Sequence, residues 1–254
     1  KRAEERRLEL ERRHHQARKL ETVGVLAAGI AHSFNNLLGV VAGGLDLSLM
    51  QMPDAEPLRH PLEQALQASV RARDLTGNLL SYAGKGLYAP KTFDLNELLR
   101  AKAFLFRSAI SRSAELSVTP GPGPLLIHAD PAGVEQIALN LILNASEAYG
   151  PQPGAITLST GLLRCEQGCL ASSRTEEKPS PGNYACLEVV DEGCGMNAET
   201  SERLFDPFFS TKFMGRGLGM AAVKGIVQSH GGAIFVETAP GRGTTVRVLL
   251  PSQP

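Results

Sequence analysis

Apolar positions recur at three- and four-residue steps from Leu20 onward: Leu20, Val23, Ala27, Ile30, Phe34, Leu37, Val41 and Leu45. That period marks an amphipathic helix. Proline clashes with a continuing helix, so the helix is expected to stop near Met52-Pro53. A second stripe follows: Leu58, Leu62, Ala65, Leu66, Ser69, Ala72, Thr76, Leu79, Leu80 and Ala83. Two long helices joined by a short loop make a hairpin. A single hairpin has one apolar face and too little core to stand alone. Two copies are therefore expected to pair into a four-helix bundle, making the chain a homodimer. Ahead of it, residues 1–21 (KRAEERRLELERRHHQARKLE) carry charges of both signs at helical spacing and few apolar residues. They read as a coiled-coil lead-in, and the interleaved glutamates argue against a nucleic-acid patch.

The pattern changes near residue 90. Gly and Pro punctuate residues 84–93 (GKGLYAPKTF), which places the hairpin domain at 1–88, a linker at 89–93 and a second domain at 94–254. Asp94 opens a helix, with Glu97 three residues on as a capping box. Short strands are expected at Leu116–Thr119, Leu125–His128, Ala155–Thr160 and Leu187–Val190. Asp130-Pro131 starts a helix that runs to Tyr149, with Pro at its first position. Ser172–Asn183 is polar and Pro/Gly-containing and reads as a mobile loop. A helix from Leu218 to Ser229 stops at Gly231-Gly232. Ala233–Thr238 and Thr244–Leu250 form a terminal hairpin around Pro240–Gly243. The predicted fold is α+β: a helical hairpin, then an α/β sandwich with helices layered on one sheet.

Composition narrows the function. With 43% hydrophobic and 20% charged residues the chain is globular rather than disordered. Twenty-six basic and 26 acidic side chains leave a net charge of +0, so nothing global calls for nucleic acid or an anionic membrane. The longest apolar stretch, Val23–Ala31, is about half of the ~20 residues that span a bilayer. No membrane contact is expected within these residues and the expected location is cytoplasmic, with attachment of the parent protein left open. The chain begins at Lys1 rather than Met, which predicts a piece of a longer protein. The four cysteines form no CxxC pair and are expected to be reduced thiols rather than metal ligands.

Three glycine- or amide-rich patterns carry candidate chemistry. Gln136, Asn140 and Asn144 lie four residues apart and share one helix face. A bland surface stripe of amides is one reading. The other is that the Asn144 amide oxygen is a hard ligand for Mg²⁺, which keeps water and phosphate oxygens as its remaining ligands. Asp191-Glu192-Gly193-Cys194-Gly195-Met196 follows a strand. An aspartate there can accept a hydrogen bond from an adenine amino group, and guanine presents a carbonyl instead. Gly193 and Gly195 let backbone approach the ring. Gly215-Arg216-Gly217-Leu218-Gly219 opens a helix, where free N–H groups and the positive dipole end suit phosphates. A flexible turn is the alternative there. Each pattern alone is weak.

Their order is specific. NxxxN on a helix, DxGxGM after a strand, LFDPFFSTK, GxGLG and GxGTT in sequence closely resemble the N, G1, F, G2 and terminal G boxes of sensor histidine kinase nucleotide-binding domains, over about residues 92–251. The wider superfamily includes DNA gyrase B, MutL and heat-shock chaperone ATPases. Residues 24–38 (GVLAAGIAHSFNNLL) look like the family's H box within its dimerisation and phosphoacceptor hairpin.

The resemblance implies that ATP and Mg²⁺ are the cofactors and His32 the phosphorylated residue. Geometry adds that His32 lies one residue, about 100°, from the Ala31/Phe34 stripe and should face outward. A surface histidine with no task is the bland reading of that position. By resemblance Asn144 holds Mg²⁺, Asp191 reads adenine, Gly193 and Gly195 shape its pocket, and Gly215, Gly217, Leu218 and Gly219 form the lid and phosphate cradle. Thr244 supports the adenine pocket, and Phe205, Phe208 and Phe209 pack to anchor the lid. Lys212 and Arg216 either supply charge to phosphate or are merely solvated. The hydrolytic relatives have a glutamate four residues before the magnesium asparagine. Here Asn140 stands there, a poor general base, which favours transfer to a protein over hydrolysis. The implied acceptor is an aspartate on a response-regulator receiver domain. One departure matters: Ser33 stands where the family carries an acidic residue beside the histidine. It opens the alternatives of a catalytically weakened nucleotide-binding scaffold or a phosphatase-dominant member, for which Asn36 is in place to position water.

Overall fold

The computed structural model describes residues 37–52, 58–66, 69, 89–111, 113–211 and 217–253. The expectations for the lead-in, for His32, Ser33 and Asn36, and for Lys212, Gly215 and Arg216 lie outside those residues. The chain divides into two compact units, Lys1–Gly86 and Leu87–Pro254.

In the first unit, residues 37–50 are helical (α1), with a turn at 51–52, and residues 59–66 are helical (α2). Arg59, the first residue of α2, donates from Nη1 to the carbonyls of Leu49 (3.3 Å) and Met52 (2.9 Å). It thereby satisfies acceptors that the end of α1 leaves without intrahelical partners. The covered face of α1 differs from the expected stripe. Leu38, Ala42 and Leu45 are half-buried and Leu49 is buried, whereas Leu37 and Val41 are 64% and 50% exposed. The helix carries two apolar stripes one residue apart, each at three- and four-residue steps, and among the described residues one is covered and the other exposed.

The second unit is built on a five-stranded sheet in the order β2-β4-β5-β7-β6. Its elements are β1 (Lys91–Asp94), α3 (Leu95–Ala109), β2 (Ala114–Thr119), β3 (Leu126–Ala129), α4 (Pro131–Glu147), β4 (Gly154–Cys165), α5 (Gln167–Leu170), β5 (Gly182–Asp191), α6 (Ala198–Arg203), α7 (Gly219–Ser229), β6 (Ala233–Thr238) and β7 (Thr244–Pro251). β2 joins β4 in parallel, and every other pairing in the sheet is antiparallel. Ile156, Leu158, Leu187, Val189, Val246 and Val248 alternate along β4, β5 and β7 and are buried in one core with Leu99 and Phe106 of α3, Ile137 and Leu141 of α4, and Val223 and Val227 of α7. This is the expected layer of helices on one face. On the opposite face Arg247 pairs with Glu188 and Glu237.

Several boundaries differ from expectation. Lys91–Phe93, placed in the linker, form with Asp94 a strand paired with β3, Phe93 lying opposite Ile127. Four residues with charge at both ends give too short a pattern to read. β4 and β5 extend well beyond their predicted cores, and α5 and α6 are short helices the periodicity missed. The Ser172–Asn183 segment is not a free loop. Its last two residues belong to β5. Arg174 donates its N–H to the carbonyl of Ile234 (2.8 Å), and the Ile234 N–H donates to Ser173 Oγ (3.1 Å). The segment thereby covers backbone groups on the edge strand β6, which a bare sheet edge would leave open. Behind it Leu170 fills a small second core with Cys165, Tyr184, Cys186, Ala233 and Leu249. All four cysteines are free thiols, and burial pushes the Cys186 thiol up to about 11.

Two helix junctions matter for the site. Asp94 caps α3, its Oδ1 accepting from the Asn96 N–H at 2.9 Å. Asp130 caps α4 with Pro131 in the first turn, as the sequence predicts. The Asp130 N–H donates to His230 Nε2 (2.9 Å), and His230 Nδ1 donates to the carbonyl of Ile226 (2.7 Å), so one neutral tautomer joins the start of α4 to the end of α7.

Candidate nucleotide-binding site

Helix α4 buries Val134, Ile137, Ala138, Leu141, Ile142 and Ala145 against the sheet. Asn140 sits among them at 9% exposure, and its Nδ2 has no hydrogen-bond partner among the described residues. A buried amide donor left without a partner costs about 1–3 kcal/mol, so a site that retains one is shaped for something else. Its Oδ1 lies 3.5 Å from where a Cβ on Gly219 would stand, so Asn140 flanks the first residue of α7. The residue before it, Leu218, provides no side-chain cap. Leucine has no acceptor with which to cap the first N–H groups of α7, and helix starts left uncapped in this way are suited to phosphate oxygens. Asn144 lies one turn further along α4, half-buried, on the same face.

Asp191 ends β5 at 6% exposure, and its Oδ1 accepts from the Gly193 N–H at 2.9 Å. The loop that follows is laced to the β6–β7 turn. Gly243 donates to the carbonyl of Gly193 (3.1 Å) and Gly241 to that of Cys194 (2.8 Å). On the other side Cys194 donates to the carbonyl of Ala148 (3.1 Å). Gly193 packs so closely on Ala148 that an added Cβ would lie 2.6 Å from the alanine Cβ. Gly195 has φ +62°, and a Cβ there would lie 1.9 Å from the carbonyl oxygen of Ala239. Thr244 is in register with Asp191 across the β5–β7 ladder. Its Oγ1 lies 3.1 Å from Thr238 Oγ1, which accepts from the Met196 N–H (3.0 Å).

The segment expected to form the lid is bracketed by two residues with positive φ. Phe208 (φ +65°) donates its N–H to the carbonyl of Gly217 (φ +64°) at 2.9 Å, closing the base of the loop between them. Of the three phenylalanines expected to pack there, Phe205 is buried and Phe209 lies under the Arg203 guanidinium, 4.1 Å from its ring centroid. Phe208 is 72% exposed among the described residues.

The structure thus brings Asn140 to Gly219, and Asp191, Gly193, Gly195 and Thr244 to one another. Ala148 joins the two groups, because it is the next four-residue step on the face of Asn140 and Asn144. Sequence reasoning missed Ala148, Thr238 and Tyr149, whose contacts come from residues distant in the chain. Among the described residues no group of three or more His, Cys, Asp or Glu is placed to hold a metal. Asn144, one turn along α4 from Asn140, offers a hard amide oxygen of the kind that can hold a nucleotide-borne Mg²⁺.

Comparison with known proteins places these observations. Residues 129–254 match the family model described as "Histidine kinase-, DNA gyrase B-, and HSP90-like ATPase". The chain is 34% identical to sensor kinase CckA of Brucella abortus, over 95% of this chain and 25% of that protein. It is 35% identical to sensor histidine kinase ZraS of Klebsiella oxytoca, over 92% of this chain and 47% of that protein. It spans a quarter to a half of those relatives' lengths. The structure of histidine kinase ThkA in complex with response regulator protein TrrA shares the fold, with a TM-score of 0.57 and 23% identity over 97% of this chain and 66% of that one.

Proposed function

We propose that this chain, whose residues 129–254 carry an ATP-binding domain of the histidine kinase, DNA gyrase B and HSP90 type, is the cytoplasmic catalytic core of a homodimeric sensor histidine kinase. The observation that carries this reading is the arrangement along α4. Its buried, unpartnered Asn140 amide lies beside the uncapped start of α7, and its far end seats the Asp191 loop.

Asp191 accepts a hydrogen bond from the adenine amino group, and the Gly193–Gly195 backbone lines the ring. The first turn of α7, entered through Gly217 and Leu218, receives phosphate oxygens. Asn144 would hold Mg²⁺, which neutralises phosphate charge when bound. By resemblance to the family, Gly215 would belong to the lid, and Lys212 and Arg216 would supply charge to the phosphates or stay solvated. With Asn140 in place of a carboxylate, no general base stands there to activate water, so the γ-phosphoryl goes to a side chain. In line with the leaving ADP, a ring nitrogen of His32 forms the new N–P bond as the β–γ P–O bond breaks. The phosphoryl then passes to an aspartate on a receiver domain, a reading supported by the response regulator bound to ThkA in its complex. The exposed stripe of Leu37, Val40, Val41 and Leu47 on α1 supports a second copy as its cover. Among the described residues no helix is long and apolar enough to cross a membrane.

Ser33 favours one second reading, a weakened kinase or a phosphatase-dominant member. A serine cannot accept a proton from the imidazole or hold charge beside it as the N–P bond forms. General acid–base help contributes ~10²–10⁴-fold, so Ser33→Asp is expected to raise the rate of label incorporation from γ-labelled ATP by about 100-fold. Initial rates for both chains at matched concentration measure it. Equal rates would mean that position 33 takes no part in the transfer.

A further inference from the structure

We infer that Tyr149 is a positioning residue for the base-binding loop, holding the loop after Asp191 at a fixed place on the helix that carries Asn140 and Asn144. The inference rests on the adenine-nucleotide reading of this site and deepens it. Tyr149 follows the end of α4. Its hydroxyl donates to the carbonyl of Ala155 at 2.6 Å and accepts from the Glu192 N–H at 2.7 Å. A phenol has one proton to give, and here that proton and an acceptor lone pair are both in use.

The position of those two bonds is informative. β4 and β5 pair antiparallel with Ile156 opposite Asp191. The next rung outward would set Ala155 against Glu192. The Tyr149 hydroxyl stands between that carbonyl and that N–H, in place of a direct ladder bond. It therefore fixes where the chain leaves the sheet, one residue after the carboxylate that meets the base. The ring is held by the absence of a side chain at Gly154, where a Cβ would lie 2.2 Å from it. Glu192, Gly193 and Cys194 each touch the Ala148–Tyr149 turn.

At the other end of the same helix, Asn140 flanks Gly219. Eight residues separate Asn140 from Ala148, about 12 Å at 1.5 Å per residue. Both ends of the site are thus referenced to one rigid rod, and the Tyr149 hydroxyl is the link at the base end. Its removal should loosen the grip on the base and leave the grip on phosphate intact.

The test compares the full chain with its Tyr149→Phe variant, which keeps the ring over Gly154. Binding of MgADP and MgGDP is measured directly, and binding of Mg-tripolyphosphate, which has no base, by competition. A single net hydrogen bond supports an expected loss of about fivefold in MgADP affinity, an equal fall in the ADP-to-GDP preference, and no change for tripolyphosphate. Gly154→Ala, which displaces the ring, is expected to act in the same direction. Unchanged ADP affinity would overturn the inference. So would equal losses for ADP and tripolyphosphate, which would make the hydroxyl a general structural contact. Asp191→Asn runs alongside. If the parent chain prefers ADP, Asp191→Asn loses that preference and Tyr149→Phe keeps it, the inference alone fails. If the parent chain shows no adenine preference, the adenine reading fails and takes the inference with it.

Discussion

Asp191→Asn is expected to weaken adenine-nucleotide binding by about 100-fold and to erase the preference for adenine over guanine. The carboxylate has two acceptor oxygens. One takes the Gly193 N–H at 2.9 Å, which fixes the side chain while the loop turns away from the sheet. An asparagine has only one acceptor oxygen. If it keeps Gly193, an NH₂ group meets the adenine amino group, donor to donor. If it turns toward the base, the Gly193 N–H loses its acceptor. Hydrogen bonds to a charged partner contribute about 1.5–3 kcal/mol, and the mispairing leaves a donor unsatisfied beside a nearly buried side chain. Titration with MgADP and MgGDP checks this. A variant that keeps both affinities would remove Asp191 from base recognition.

Gly195→Ala is expected to lower the unfolding midpoint of the second unit by about 10 °C and to reduce ADP binding with it. The backbone there has φ +62°, where an L side chain costs roughly 1–2 kcal/mol. A Cβ would also lie 1.9 Å from the Ala239 carbonyl oxygen, which belongs to backbone and cannot swing aside. The loop would have to leave the β6–β7 turn and give up the bond from Gly241 to Cys194. Roughly 3 kcal/mol in total, at 2–4 °C per kcal/mol for a domain of this size, gives the expected shift. Calorimetric unfolding without nucleotide measures it directly. An unchanged midpoint would mean that the loop and turn are not locked together.

What the sequence made legible were features with short-range causes. Pro131 after Asp130 announces a helix start, and a four-residue repeat announces a shared face. Both hold in α4. The glycines at Gly193 and Gly195 were readable as a loop because glycine is the residue that such close approaches require. What escaped depends on partners far along the chain. The Tyr149 hydroxyl meets Glu192, 43 residues away, and no local pattern marks it. Phe208 was expected to pack because it is aromatic, and nothing local in the sequence marks its positive φ or its bond to Gly217, nine residues on. On α1, two apolar stripes one residue apart look alike in sequence. Which one the chain covers is decided by tertiary packing. β1 was missed because its four residues show no alternation to read.

Transfer of the γ-phosphoryl of ATP to His32, as proposed, is tested by labelling. The full chain and its His32→Ala variant are incubated with γ-labelled ATP and Mg²⁺, and the protein-bound label is tested for its stability in acid and in alkali. The expected result is label on the parent chain that is lost in acid and kept in alkali, as a phosphorus–nitrogen bond behaves, and only background on His32→Ala. Equal label on His32→Ala, or label that survives acid, would contradict it.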